Sequence, residues 1–241
     1  MIVCAHNEES YIQDCLRSLI QQTYRPDFVV VVADRCTDRT VTIAKDELKN
    51  QRSSILEKKR ATWANSISEN LQMGLKEAKG DALVVVDADI IIPPNLLASL
   101  LPQLEQYAVV SPVVRTDSSQ GTLNRLVSLW ERTYAIAPLG DQPRGGTRAI
   151  SINALNSVGG FRDVYAWESD LDKRLRGAGF RLKIDRSLRV IHRRKMTVRH
   201  SISYQIQAGR ARKELHVSLF RTLLHSIIRL RPFVVVGYLK R

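Results

Sequence analysis

Two β-branched apolar runs, each ending on an acid, constrain this chain most. Phe28 to Ala33 carries four successive valines before Asp34, and Ala82 to Val86 carries three before Asp87. Runs of that kind mark strands buried on both faces, which belong to parallel sheets covered by helices. Around them the apolar spacing shifts to the helical period, at Ile12, Leu16, Leu19 and Ile20, and again at Ile67, Leu71 and Leu75. Thr37 to Leu48 also reads as a helix, with Thr37 or Asp38 as its cap. Lys49 to Arg60 is polar and reads as a connection, while Pro93-Pro94 stops the strand before it. Beyond it the pattern predicts a helix over Leu96 to Leu104, a strand over Val109 to Val114, a helix over Thr122 to Pro138 and a short strand from Leu182. Strands alternating with helices from the first residues predict an α/β fold with a mainly parallel central sheet. At 241 residues, 44% hydrophobic and 25% charged, the chain can bury such a core without staples. Cys4, Cys15 and Cys36 lack any CxxC spacing, which speaks against a disulfide framework or structural zinc and for a reducing compartment.

Open α/β sheets bind ligands beyond the carboxyl ends of their strands. That rule selects Cys4 to Glu9, Ala33 to Asp38 and Asp87 to Asp89, each polar or acidic directly after an apolar run. Asp87 and Asp89 are two apart on a strand end and so point to one side. Two such carboxylates form a hard-oxygen site for Mg²⁺ or Mn²⁺; the competing account is a pair of solvated turn acids.

The segments Val3 to Glu9, Val31 to Thr40, Val86-Asp-Ala-Asp89 with Pro93-Pro94, Val158-Gly-Gly-Phe161, Glu168-Ser-Asp170 and Arg174 to Phe180 together resemble the inverting family 2 glycosyltransferases of GT-A fold. In order and spacing the resemblance covers about residues 2–195. It implies a GT-A type, Rossmann-like sheet flanked by helices. Residues 1–95 would bind the nucleotide sugar, 96–195 the acceptor, and 196–241 would form a basic helical extension. By the same resemblance Ala5, His6 and Glu8 contact the base and ribose, Asp34 holds the base, and Asp87, Ala88 and Asp89 meet ribose and the ion bridging the diphosphate. Glu168 matches the general base, and His192 a third metal ligand or diphosphate contact. Each has a plainer account: Asp34 as a turn acid, His6 or His192 as a packed strand-end histidine. Lys58-Lys-Arg60 is a candidate for neutralising diphosphate or a solvated run, and Gly145-Gly146 a close backbone approach or a turn.

Three acids at 168, 170 and 172 compete for one role. Ser169 with Asp172 resembles a capping pair, and first-turn acids are favoured by the helix dipole. That covers Asp170 and Asp172 and leaves Glu168 just outside the helix, free to act as base; because the family usually carries Asp there, Asp170 stays in contention.

The charge is uneven. Residues 189–241 hold thirteen Lys/Arg against Glu214 alone, so they carry twelve of the thirteen net positive charges. Leu215, Leu219, Phe220, Leu223, Leu224, Ile227 and Ile228 share one helical face, with Glu214, Ser218, Arg221, His225 and Arg229 opposite. A basic amphipathic stretch over 214–241 fits a membrane surface or a second copy; without interleaved aromatics, nucleic acid is disfavoured. Gln207-Ala-Gly-Arg210 is followed by Ala211 where the family's polymer synthases carry Trp, which argues against processivity. No apolar run reaches the ~20 residues that span a bilayer, and Glu8-Glu9 precedes any signal-like core. The expectation is a cytoplasmic protein, with peripheral contact at the inner membrane face as the further option.

The reading is thus a metal-dependent, non-processive glycosyltransferase. It would carry a sugar from a nucleoside diphosphate to a hydroxyl of a saccharide or lipid-linked acceptor. A sugar nucleotidyltransferase is the first alternative, although Ala5-His-Asn-Glu-Glu9 lacks the glycines of a phosphate loop. A non-catalytic basic adaptor is the second.

Overall fold

The computed structural model describes residues 1–132 and 146–240. Its strands are β1 (Ile2–Ala5), β2 (Val29–Asp34), β3 (Ser53–Lys58), β4 (Ala82–Asp87), β5 (Ile90–Ile91), β6 (Val109–Thr116), β7 (Thr147–Ser151) and β8 (Leu182–His192). Its helices are α1 (Ile12–Ile20), α2 (Thr40–Leu48), α3 (Ser66–Glu77), α4 (Leu96–Leu100), α5 (Thr122–Arg132), α6 (Ile152–Ser157), α7 (Trp167–Gly177), α8 (Val198–Glu214), α9 (Leu219–Ile228) and α10 (Phe233–Leu239). One sheet runs in the order β3-β2-β1-β4-β7-β6-β8-β5. It is parallel from β3 through β4 and between β6 and β8, and antiparallel where β7 and β5 join. The sheet is therefore mixed.

The valine runs divide their side chains between the two faces, as the period of two requires. Val29 and Val31 join Leu16, Leu19, Ala44 and Leu97 on one side, beneath α1, α2 and α4. Val30 and Val32 join Leu71, Leu155, Trp167 and Leu171 on the other, beneath α3, α6 and α7. All six residues of β2 are buried, which is why that run carries no polar residue before Asp34.

Several expectations shift. Lys49 to Arg60 contains β3, an edge strand whose half-buried side chains hide its signal. The Leu96–Leu104 helix is α4 followed by a 3₁₀ turn over Leu101–Glu105. α2 begins at Thr40 with Arg39, not Thr37 or Asp38, at its N-cap, although Asp38 Oδ1 accepts from Thr40 N at 3.0 Å. The helix expected over Thr122 to Pro138 is α5 as far as Arg132, and the rest of that range lies outside the described residues.

The basic tail is three helices rather than one. α8 and α10 cross with backbone against backbone: a Cβ on Gly209 would lie 2.1 Å from Val234 O, and one on Gly237 2.0 Å from Ile206 O. No helix among the described residues is long and apolar enough to cross a membrane.

Candidate active site

The carboxyl ends of β1, β2 and β4 lie side by side because these strands are adjacent and parallel. The first two are latched together. His6 Nδ1 donates to Asp34 O at 2.6 Å, Thr37 N to Asn7 Oδ1 at 2.8 Å, and Glu8 N to Thr40 Oγ1 at 2.7 Å. Asn7 and Arg35 both hold left-handed backbone, with φ of 54° and 50°, a conformation non-glycine residues keep only where the surroundings enforce it. Ala5 and Ala88 are both core methyls, so only their backbone faces the strand ends.

Asp34 is buried, and its oxygens are claimed on all sides. Arg35 Nε donates to Oδ1 at 2.7 Å, Asn70 Nδ2 to Oδ2 at 3.3 Å, and Lys58 Nζ lies 3.4 Å away. Burial pushes its pKa up, but these partners hold it below the ordinary carboxylate range. Lys58 is itself buried and donates to Glu69 at 2.9 Å, while Lys59 pairs with Glu57. Lys58 thus serves the floor of the β2 end rather than facing out toward a diphosphate.

The second acidic group gathers around β4. Asp89 Oδ2 receives Arg194 Nε at 2.6 Å and lies 3.1 Å from His192 Nε2. Arg194 also pairs with Glu8 through Nη2. Burial raises both acids, yet Asp89 sits below its usual range because His192 and Arg194 both stabilise its charge. For Glu8 burial, with the charge of Asp89, outweighs the pull of Arg194 and His192 and leaves its pKa above the usual range. For His192 burial opposes the charge and the hydrogen bond to Asp89 prevails, holding its pKa up. Asp87 is pushed to about 7 by burial, then by the charges of Asp89 and Glu168. Gly146, with φ +100°, brings its carbonyl within 2.8 Å of Asp87 N; a Cβ there would meet Ile90 Cδ1 at 2.7 Å. Gly145 lies outside the described residues.

Glu168 and Asp170 both fall in the first turn of α7, whose N-cap is Ala166, so Ser169 does not cap this helix. The two acids differ in partner. Asp170 receives Arg174 Nε at 2.8 Å, one turn on, and Arg174 Nη1 donates to Val158 O at 2.6 Å. Glu168 is the acid whose charge reaches Asp87. Asp172 is no first-turn acid: it is buried, and Arg148 Nη2 donates to both its oxygens at 2.9 and 3.0 Å. Arg148 is fully buried and its guanidinium lies 5.6 Å from the centre of the Trp167 ring.

Sequence reasoning missed Arg194, Arg148 and the burial of Lys58 against Glu69, having read Lys58 only as part of a diphosphate-facing or solvated run. Arg194 had a signal, since it follows the strand-end His192 by two residues. Lys58 and Arg148 had none, because a buried cation is recognised only by the acid that faces it.

Four carboxylates, those of Glu8, Asp87, Asp89 and Glu168, thus share one strand-end region with His192 and Arg194. Among the described residues Glu8 Oε2 is buried without a hydrogen-bond partner, and Asp87 is poorly compensated. An acid-rich donor set with an orphaned oxygen and one imidazole suits a hard divalent cation. No preformed cluster of three or more metal-ligating side chains occurs among the described residues.

Residues 1–165 match the family model described as Glycosyl transferase family 2. A mannosyltransferase from Pyrobaculum calidifontis, solved with GDP-Man and Mn²⁺, superposes with a TM-score of 0.72 at 19% identity, covering 99% of this chain and 69% of that one. Glucosyl-3-phosphoglycerate synthase from Mycobacterium tuberculosis, solved with Mg²⁺ and UDP, gives 0.61 at 24% identity, over 86% of this chain and 75% of that one. Among curated sequences, a beta-monoglucosyldiacylglycerol synthase from Synechocystis is 28% identical over 193 residues, 73% of this chain and 39% of that protein. The chain spans less than half the length of the curated relatives it matches.

Proposed function

This chain belongs to glycosyl transferase family 2, and from that membership we propose that it transfers a sugar from a nucleoside diphosphate to an acceptor hydroxyl, with inversion, by one in-line displacement. The observation that carries the reading is the convergence of Glu8, Asp87, Asp89 and Glu168 beside the ends of β1 and β4. Residues 1–95 form the donor half and 96–195 the acceptor half. The β1 and β2 ends, with Ala5, His6, Glu8 and Asp34, hold the nucleoside, and Asp87-Ala88-Asp89 faces the ribose and diphosphate. Asp87, Asp89 and His192 are the residues that would hold Mg²⁺ or Mn²⁺; such a cation, when bound, offsets charge growing on the leaving diphosphate. Glu168 takes the proton from the acceptor hydroxyl, a role that requires reach to that proton as well as basicity. Asp170 is the positioning acid, fastening the first turn of α7 through Arg174. The latch between the β1 and β2 ends keeps the donor floor rigid, so little ordering cost attends binding.

Titration calorimetry with UDP and GDP, in Mn²⁺ and in chelator, tests the donor site. We expect chelation, or Asp89→Asn, to weaken the better nucleotide by at least on the order of tenfold, the low end for loss of even an outer partner of a metal ligand. Equal affinity in all three conditions would sink the reading.

A further inference from the structure

The helix α9 is turned inside out. Its buried residues are Thr222 and Ser226, with Arg229 following on the same stripe. Phe220 is 74% exposed, Ile227 71%, and Leu230 just beyond the helix 84%. Ile228, Leu223 and Leu224 are exposed alongside them. A helix resting on a core in water has the reverse arrangement. Polar contacts hold this orientation: Arg212 Nε donates to Thr222 Oγ1 at 3.2 Å and Arg212 Nη2 to Arg221 O at 3.2 Å. The apolar face therefore cannot roll inward without breaking them.

Two further observations say what covers that face. Exposed Lys195, Arg199, Lys213 and Arg221 lie on α8, α9 and the segment before them, within the stretch that carries nearly all of the net charge. A second copy would bring these like charges together, whereas an anionic surface complements them. Beside the C-terminal end of the helix lies a cavity of about 400 Å³, lined by Leu126, Trp130, Glu131, His192 and Tyr204 and by Leu230 just past α9. That volume suits a small ligand, and its lining includes both Leu230, next to α9, and His192 of the acid cluster.

We propose that α9 docks flat on an anionic bilayer, its outward face in the interfacial layer and the mouth of the cavity at headgroup level. Lying on rather than across the membrane is what a short apolar helix face within a strongly basic segment does. On the glycosyltransferase reading, this geometry selects an acceptor with an apolar chain, drawn from the bilayer into the cavity. The docking itself rests on the helix and its charges.

The test is co-sedimentation of the full chain with vesicles of phosphatidylcholine alone and of phosphatidylcholine mixed equally with phosphatidylglycerol. We expect binding to the mixed vesicles only, weakened by added salt. Phe220→Ser with Ile227→Ser should lower the partition coefficient by on the order of 10–100-fold, given what burial of a large apolar side chain contributes. Leu230→Asp, outside the helix, is a second variant expected to act in the same direction. Absence of sedimentation with mixed vesicles overturns the proposal, as does sedimentation that both variants leave unchanged. So does a dimer, seen by analytical ultracentrifugation, that the double substitution splits while vesicles are ignored. Nucleoside diphosphate binding measured on the same samples separates these outcomes from failure of the donor-site reading.

Discussion

Replacing Glu168 by Gln keeps the shape of the side chain and removes its basicity. Two opposed effects on stability follow from its position. A first-turn carboxylate gains ~0.3–1 kcal/mol from the helix dipole, but Glu168 also repels Asp87, whose carboxyl it helps to push to about 7. Removing the charge forfeits the first and relieves the second, so these two contributions offset. Asp170→Asn is the converse perturbation. It breaks an ion pair with Arg174 at 2.8 Å whose side chains are 12% and 21% exposed, and it loses the same dipole contribution. Together these come to about 1 kcal/mol, or ~2–4 °C in a chain of this size. Turnover should show the opposite pattern: a fall of roughly 10²–10⁴-fold for Glu168→Gln and a few-fold at most for Asp170→Asn. Melting by calorimetry and single-turnover sugar transfer on both variants make the comparison. If Asp170→Asn abolishes transfer and Glu168→Gln does not, the base is Asp170, and its pairing with Arg174 must open in the working complex.

Two stability predictions concern the buried ions. Arg148→Met leaves Asp172 buried without its partner and should cost about 3–5 kcal/mol, whereas Arg148→Met with Asp172→Leu should recover most of that; denaturant unfolding that finds the single variant within about 1 kcal/mol of wild type would refute it. Glu69, held at about 2 by Thr62 and Lys58 against the upward push of burial, binds protons less readily folded than unfolded. Its contribution is therefore complete above its ordinary value and lost as pH falls from about 4.5 toward 2, so Glu69→Gln, less stable at neutral pH, should show a flatter melting-temperature profile across that window, and parallel profiles would refute the assignment.

The parts legible in the sequence were those that repeat a physical constraint over several residues. β2 and β4 announced themselves because burial on both faces allows no polar interruption, and the acids after them followed from where such strands end. β3 stayed hidden because an edge strand with Ser53, Ser54, Glu57 and Lys58 carries no run at all. Asp172 was misread for a different reason. An acid near a helix start satisfies a local rule, and only the position of Arg148, twenty-four residues earlier, reveals that it is buried. α9 marks a third kind of limit. Periodicity placed Phe220, Leu223, Leu224 and Ile227 on one face correctly, but it carries no information about which face meets the rest of the protein. That was decided by Arg212 and Thr222, through contacts no spacing rule encodes.

The crossing of α8 and α10 has a consequence for how this chain can vary over generations. Most tight contacts in a protein can drift, because a larger side chain on one element is accommodated by a smaller one opposite. At Gly209 and Gly237 the opposing atoms are the backbone of Val234 and Tyr238 and of Ile206, and every amino acid brings those same atoms. No substitution across the crossing can therefore make room for even a methyl group. Each glycine lacks any second-site suppressor on the facing helix, and a mutation at either can be rescued only by reversion or by the two helices moving apart.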